Sequence, residues 1–194
     1  MQSEIEAKFL NVNHDDIRQL LTKLGGICEQ PMRMMRRVTI ETPDLVQKNA
    51  YVRIRDEGHR VTMTYKQFNE LSIDGAKEIE IIVSSFENAL LLLDAAGLPA
   101  QSYQESKRET WQLGSAEVVL DEWPWLAPYI EIESTDESIV KAAARQLGFD
   151  WENAVFGDVM TAYRAQYPHL SETDTVGRIP EVKFDDPLPG MFIK

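Results

Sequence analysis

Cysteine and histidine are scarce in this chain of 194 residues, which has one Cys and three His. A lone Cys28 excludes an intramolecular disulfide framework and reads as a small buried residue. His14, His59 and His169 fall at a helix start, a turn and the C-terminal region. They are expected at the surface, and no His/Cys spacing suits zinc. No apolar run approaches the ~20 residues of a membrane-spanning helix. The N-terminus lacks a basic-then-apolar leader, so a cytoplasmic protein is expected. Positive charge is also in deficit: Lys and Arg total 20 against 32 Asp and Glu, a net charge of −12. That excludes a broadly basic surface for nucleic acid or anionic membranes, but not a locally cationic pocket.

What the chain does have is charge in a regular arrangement. In Glu4-Ile5-Glu6-Ala7-Lys8, strand alternation puts Glu4, Glu6 and Lys8 on one face and Ile5, Ala7 and Phe9 on the other. The rule recurs in Tyr51-Val52-Arg53-Ile54-Arg55, in 60–68 with Thr62, Thr64 and Lys66 on one face, and in Lys77–Val83 with Glu78 and Glu80. It recurs again in 101–113 with Arg108, in Glu117–Glu122 with Glu117, Val119 and Asp121, and in Tyr129–Glu133 with Glu131 and Glu133. Residues 27–41 also look extended and carry Arg33, Arg36 and Arg37. Helices are expected after Asn13, after Ser84-Ser85 (with Phe86, Leu90, Leu91 and Leu93 apolar), over 136–147 capped by Thr135, and over about 157–167. A loop is expected from Glu41 to about Asn49, and residues 169–194 form a tail or packing arm.

Seven or eight strands with hairpin-like connections suggest an antiparallel sheet, closed or nearly so. Its apolar face, including Ile54, Ile79, Ile81, Leu120 and Ile132, is expected to lie under the helices, leaving the charges inside. The alternative is an open sheet whose charged face meets water. Segregation argues against it: acids come in E-x-E doublets and bases in R-x-R, and adjacent arginines and lysines repel unless an anion lies between them. Hard carboxylate oxygens suit Mg²⁺ or Mn²⁺, and Arg and Lys suit phosphate.

These elements, in this order, resemble the CYTH family of triphosphate tunnel metalloenzymes, whose signature E-x-E-x-K is matched at residues 4–8. Arg53-Ile54-Arg55, Lys66, Glu78-Ile79-Glu80, Lys107–Trp111, Leu120-Asp121 and Glu131-Ile132-Glu133 continue the likeness. The resemblance implies an α+β fold in which an eight-stranded antiparallel β tunnel with a charged lumen occupies 1–168, helices packed outside. It implies Mg²⁺ or Mn²⁺ bound by Glu4, Glu6, Glu80, Asp121, Glu131 and Glu133. A small-molecule triphosphate would be held by Lys8, Arg53, Arg55, Lys66 and Arg108. Glu4, Glu6, Lys8 and Glu133 would be the catalytic set. Two departures stand out. Many members have Lys-x-Arg where this chain has Ser106-Lys107-Arg108, which turns Lys107 outward. The family's Y-F-D-T-P reads Thr39-Ile40-Glu41-Thr42-Pro43, with Arg37 an added base whose facing the sequence leaves open.

Two reactions fit the pattern. Hydrolysis needs a water activated by metal or carboxylate; cyclisation of ATP to cyclic AMP also needs a pocket for adenosine. Hydrolysis demands less and ranks first. Trp111, Trp123 and Trp125 are candidates for stacking on an organic group, although packing is their commoner use. A non-catalytic phosphate binder would not need the acids, and a single-stranded nucleic-acid binder would need an exposed basic groove. The Trp123-Pro124-Trp125 loop, expected to be exposed, suggests a possible homodimer.

Overall fold

A computed structural model describes residues 2–3, 5–68 and 72–194. Glu4 and part of the 69–75 connection therefore lie outside the described residues. The strands are β1 (Gln2–Ser3), β2 (Ile5–Phe9), β3 (Ile27–Ile40), β4 (Ala50–Asp56), β5 (Val61–Phe68), β6 (Ala76–Val83), β7 (Ser102–Leu113), β8 (Ala116–Glu122), β9 (Tyr129–Ser134) and β10 (Glu181–Val182). The helices are α1 (His14–Lys23), α2 (Pro43–Gln47), α3 (Phe86–Ala95), α4 (Glu137–Gln146) and α5 (Val159–Gln166). The fold is α+β, with eight longer strands in a strongly curled antiparallel sheet.

Neighbours run in the order β1-β6-β5-β4-β3-β7-β8-β9-β2, and β10 adds to β7 in parallel. The N-terminal segment meets both ends of this path, with Gln2 opposite Glu78 and Glu6 opposite Glu133. Two register shifts in β3, between Cys28 and Gln30 and between Gln30 and Arg33, surround Pro31. Proline cannot donate to a ladder, and bulges of this kind bend and twist a long strand. The tight turns follow local chemistry. Gly58 takes φ +84° at the β4–β5 hairpin, where Asp56 Oδ1 accepts from its N–H at 2.8 Å.

The helices cover only part of the outer surface. α1 and α4 lay Ile17, Leu21 and Val140 on Phe9, Val118, Leu120, Ile130 and Ile132. Asn13 caps α1 by accepting from the N–H groups of Asp15 and Asp16. Asp136, one residue later than expected, caps α4. α3 packs Phe86 and Ala89 on Val38 and Ile54, but Leu91 and Leu92 point to solvent. The expected cover over β6 is missing: Ile79 and Ile81 are 53% and 50% exposed. Thr42 caps the one-turn helix α2, with Pro43 in its first turn, where a loop was expected.

Residues 168–194 run back over the sheet. Val176, Val182 and Phe192 are buried with Trp123, Tyr129, Met160 and Tyr163 in a second core. Trp123 is therefore buried, and the Trp125 indole donates to the Asp186 carbonyl at 3.0 Å, so this loop is not the exposed subunit contact expected from sequence. Cys28 corrects another expectation: it is exposed at the start of β3, where the strand leaves the core. His14 is buried because α1 carries it against the Tyr129 carbonyl at 3.1 Å. Among the described residues no helix is long and apolar enough to cross a membrane.

Phe192 stacks on Tyr163 at 5.3 Å and contacts Tyr167 at 4.8 Å between ring centroids. Phe192→Ala should destabilise the protein by about 3–5 kcal/mol, the usual cost of emptying a buried phenylalanine site. Urea denaturation checks this, and an unchanged midpoint would mean that the arm does not pack as described.

Candidate functional site

Strand alternation carries one side chain in two to the concave side of the sheet, where they line a cavity of about 370 Å³. Glu6, Lys8, Arg53, Arg55, Lys66, Glu80, Arg108, Asp121, Glu131 and Glu133 all line it. Every site residue read from the sequence is thus brought to one place, except Glu4, which lies outside the described residues. Hydrocarbon does not fill this interior. Lys8 is 1% exposed, and Arg53, Arg55 and Lys66 are buried too.

The acids and bases engage one another across strands. Lys8 Nζ donates to Glu6 Oε1 at 2.8 Å and to the Gly157 carbonyl at 2.6 Å, and it pairs with Glu131 Oε1 at 3.2 Å. Burial alone would lower the Lys8 pKa, but Glu131 and Glu6 outweigh it and hold the ammonium above its usual range. Arg108 grips Asp121 through two nitrogens and reaches Glu131 Oε2 at 2.9 Å. Burial opposes the charge on Arg108, while Asp121 and Glu131 raise its pKa. Arg53 lies 3.7 Å from Glu80, which accepts from the Thr64 hydroxyl at 2.8 Å. Arg55 pairs with Glu57 at 2.6 Å, and Arg60 joins the same carboxylate at 3.0 Å. Burial would raise the Glu57 pKa, but Arg55 and Arg60 hold it down to about 2.

Two groups of like charge remain. Glu133 lies opposite both Glu6 and Glu117 in the ladder. Burial, Glu117 and Glu6 push its pKa up to about 8. A carboxyl that resists ionising beside two others is short of a cation. In the other group, burial together with Arg53 and Arg108 pushes Arg55 down to about 10. Among the described residues the Nε atoms of Arg37, Arg53 and Arg55 are buried without a hydrogen-bond partner. Arg55 still pairs with Glu57 and Arg53 lies near Glu80, whereas Arg37 meets no carboxylate among the described residues.

Sequence reasoning missed some of the lining. Glu57 continues the parity of Arg53 and Arg55 into the turn, a signal that was present. Arg37 faces the cavity, settling a position that alternation alone left open. Asp158, before α5, lines the cavity with no sequence motif to mark it. Lys107 points away: it pairs with Glu122 at 3.5 Å and lies over the Phe184 ring.

The CYTH domain matches residues 2–155. The chain belongs to the CYTH family. Its fold is shared with a candidate adenylate cyclase from Vibrio parahaemolyticus: TM-score 0.72, 14% identity, covering 84% of this chain and 98% of that one. The PH1012 protein from Pyrococcus horikoshii OT3 is similar at TM-score 0.66 and 24% identity over 78% of this chain and 93% of that one. A third relative in fold is an adenylyl cyclase candidate from Hippeastrum described as having a dominant triphosphatase activity. It has TM-score 0.54 and 15% identity, covering 84% of this chain and 96% of that one. No curated protein matches the sequence. The CYTH family binds triphosphate substrates and generally uses a divalent metal. Among the described residues no three acid, His or Cys side chains form a ready-made metal cage. The donor chemistry nevertheless fits a hard divalent ion: Glu6 and Glu133 offer carboxylate oxygens across one ladder position, and Glu133 is held partly protonated for want of a counter-charge.

This CYTH chain should show the strain of its acid group when divalent ions are chelated. Folded Glu133 keeps its proton up to about pH 8, whereas the unfolded carboxyl releases it near the usual glutamate value of about 4.3. The folded state binds more protons in that window, so unfolding free energy should fall as pH rises through it. Glu133→Gln should flatten the decline in urea denaturation of EDTA-treated protein. Parallel wild-type and variant profiles would contradict the assignment.

Proposed function

We propose that this chain is a cytoplasmic, Mg²⁺- or Mn²⁺-dependent hydrolase of a small-molecule triphosphate, acting inside a closed eight-stranded tunnel. The observation that supports it most is the gathering of acids and bases in one cavity: Glu133 stands opposite Glu6 and Glu117 in the ladder, and Arg37 stands opposite Arg55 with Arg53 on the same strand face. A metal–triphosphate complex suits both groups at once.

In this reading Glu6 and Glu133 take the metal together with Glu4, and Glu80, Asp121 and Glu131 stand near it. A divalent ion so held supplies Lewis-acid polarisation of a phosphoryl oxygen. Arg53 and Arg55 grip phosphate oxygens with planar forks, and Lys66 and Lys8 act as point charges. Lys8 directs its three N–H donors to Glu6, Glu131 and the Gly157 carbonyl, so it adds fixed positive charge to the wall and not a direct bond to phosphate. Arg108, locked on Asp121 and Glu131, completes the cationic wall. A water attacks the phosphorus in line and its proton passes to a carboxylate of the acid group. The P–O bond to the leaving phosphate breaks as the new one forms.

Cyclisation of ATP is the second reading, and the tryptophans disfavour it. Trp111 lies in the core beneath α1 and α4, and its indole donates to Glu109 at 2.6 Å. Trp123 lies under the Arg37 guanidinium, 4.3 Å from ring centroid to Cζ. Trp125 is packed beneath the C-terminal arm. Trp111 and Trp123 are thus buried in packing, and Trp125 is partly buried.

The test is incubation with inorganic triphosphate, thiamine triphosphate or ATP and Mg²⁺ or Mn²⁺, assaying phosphate, pyrophosphate and cyclic AMP together. Metal-dependent phosphate release is expected, falling about 10²-fold or more in Glu6→Gln. Arg55→Ala should act mainly on KM. Cyclic AMP with pyrophosphate as the products would favour the cyclase, and full activity in Glu6→Gln would remove the metal role.

A further inference from the structure

Arg37 is a cavity-lining cation that the resemblance does not account for. β3 places it opposite Arg55 on β4 and Gln104 on β7. Its side chain is buried, donates to Ser106 Oγ at 3.1 Å, and pairs with no carboxylate among the described residues. The Trp123 ring under its guanidinium fixes the plane of the fork. Burial, then Arg53, Arg55 and Arg108, push its pKa down to about 9, the direction expected of a cation among cations. Next to it, the Thr39 hydroxyl and the Trp123 indole N–H are also buried without partners among the described residues. A buried polar atom left unpaired is costly, so this corner favours a polar guest.

The same corner is walled by the C-terminal arm. Thr175, Val176 and Gly177 line the cavity. Ser102 Oγ donates to the carbonyls of Val176 and Ile179 at 3.1 and 2.6 Å, tying the arm to β7. A β-carbon at Gly177 would lie 3.4 Å from Glu41 Oε1, so the arm rests against the strand end opposite.

We propose that Arg37, with Thr39 and Trp123, forms a terminal-phosphate subsite at the end of the cavity walled by the C-terminal arm, so that the substrate enters with an unesterified phosphate first. The inference rests on the triphosphate reading above and narrows it. Inorganic triphosphate and a triphosphate esterified at one end both qualify, with any organic group at the opposite mouth near Glu57 and Arg60. A triphosphate esterified at both ends does not.

The experiment compares full-length wild type, Arg37→Gln and Arg37→Lys with inorganic triphosphate, and tests a dinucleoside triphosphate as competitor. Arg37→Gln should raise KM about 10- to 100-fold, as expected for one charge-assisted contact, with a smaller change in kcat. Arg37→Lys should recover part of the loss. Without ligand, the melting temperature of Arg37→Gln should be unchanged or higher, because an unpaired buried cation has been removed, while its stabilisation by inorganic triphosphate should shrink. The dinucleoside triphosphate should not compete. An unchanged KM in Arg37→Gln, or competition by the doubly esterified compound as tight as that of inorganic triphosphate, would overturn the subsite and leave the hydrolase reading standing. A wild type that turns over no triphosphate would overturn both.

Discussion

Crowding of like charges on the concave face of one curled sheet is the constraint on which the rest of this structure depends. Glu133 is set against Glu6 and Glu117, and Arg37 and Arg55 are pressed together with Arg53. In water such contacts would be screened. Here burial and the neighbouring like charges together oppose ionisation, and a guest of opposite sign relieves both. The cross-strand pairs Lys8–Glu131 and Arg108–Asp121 absorb part of the imbalance and hold the wall in shape. They leave Arg37 with no carboxylate partner among the described residues, and Glu133 crowded by Glu6 and Glu117.

The outer layers make that interior affordable. α1 and α4 bury the apolar faces of β2, β8 and β9, and the C-terminal arm supplies a second core over Trp123 and Tyr129. Removal of apolar surface on the outside compensates for polar groups gathered within. The cover is uneven. β6 keeps Ile79 and Ile81 half in solvent, while α3 packs mainly on Val38 and Ile54. The sheet is thus best supported around Lys8, Asp121, Glu131 and Glu133.

Much of this was legible in the chain because a strand's period of two is rigid. Once Glu6 faces in, Lys8 must follow, and the same parity delivers Arg53 with Arg55 and Glu131 with Glu133. What parity cannot deliver is the facing of a residue beyond a bulge. Register shifts around Pro31 obscured Arg37, although it proved to share the cavity with Arg53 and Arg55. Nor does parity reach contacts made by irregular segments. The approach of Gly177 depends on the path of the C-terminal arm, and that of Asp158 on the irregular segment before α5; neither carries a periodic signal. His14 and Trp123 misled for a related reason: both stand at element boundaries, where local sequence suggests exposure, and tertiary packing buried them.

Diffraction at the manganese edge from crystals grown with Mn²⁺ and a slowly hydrolysed triphosphate analogue tests the central claim most directly. The account predicts anomalous density against Glu6 and Glu133, with the phosphate chain running from it toward Arg53, Arg55 and Arg37. Metal and phosphates bound on the outer surface, with the enclosed carboxyls and guanidiniums unchanged, would contradict it.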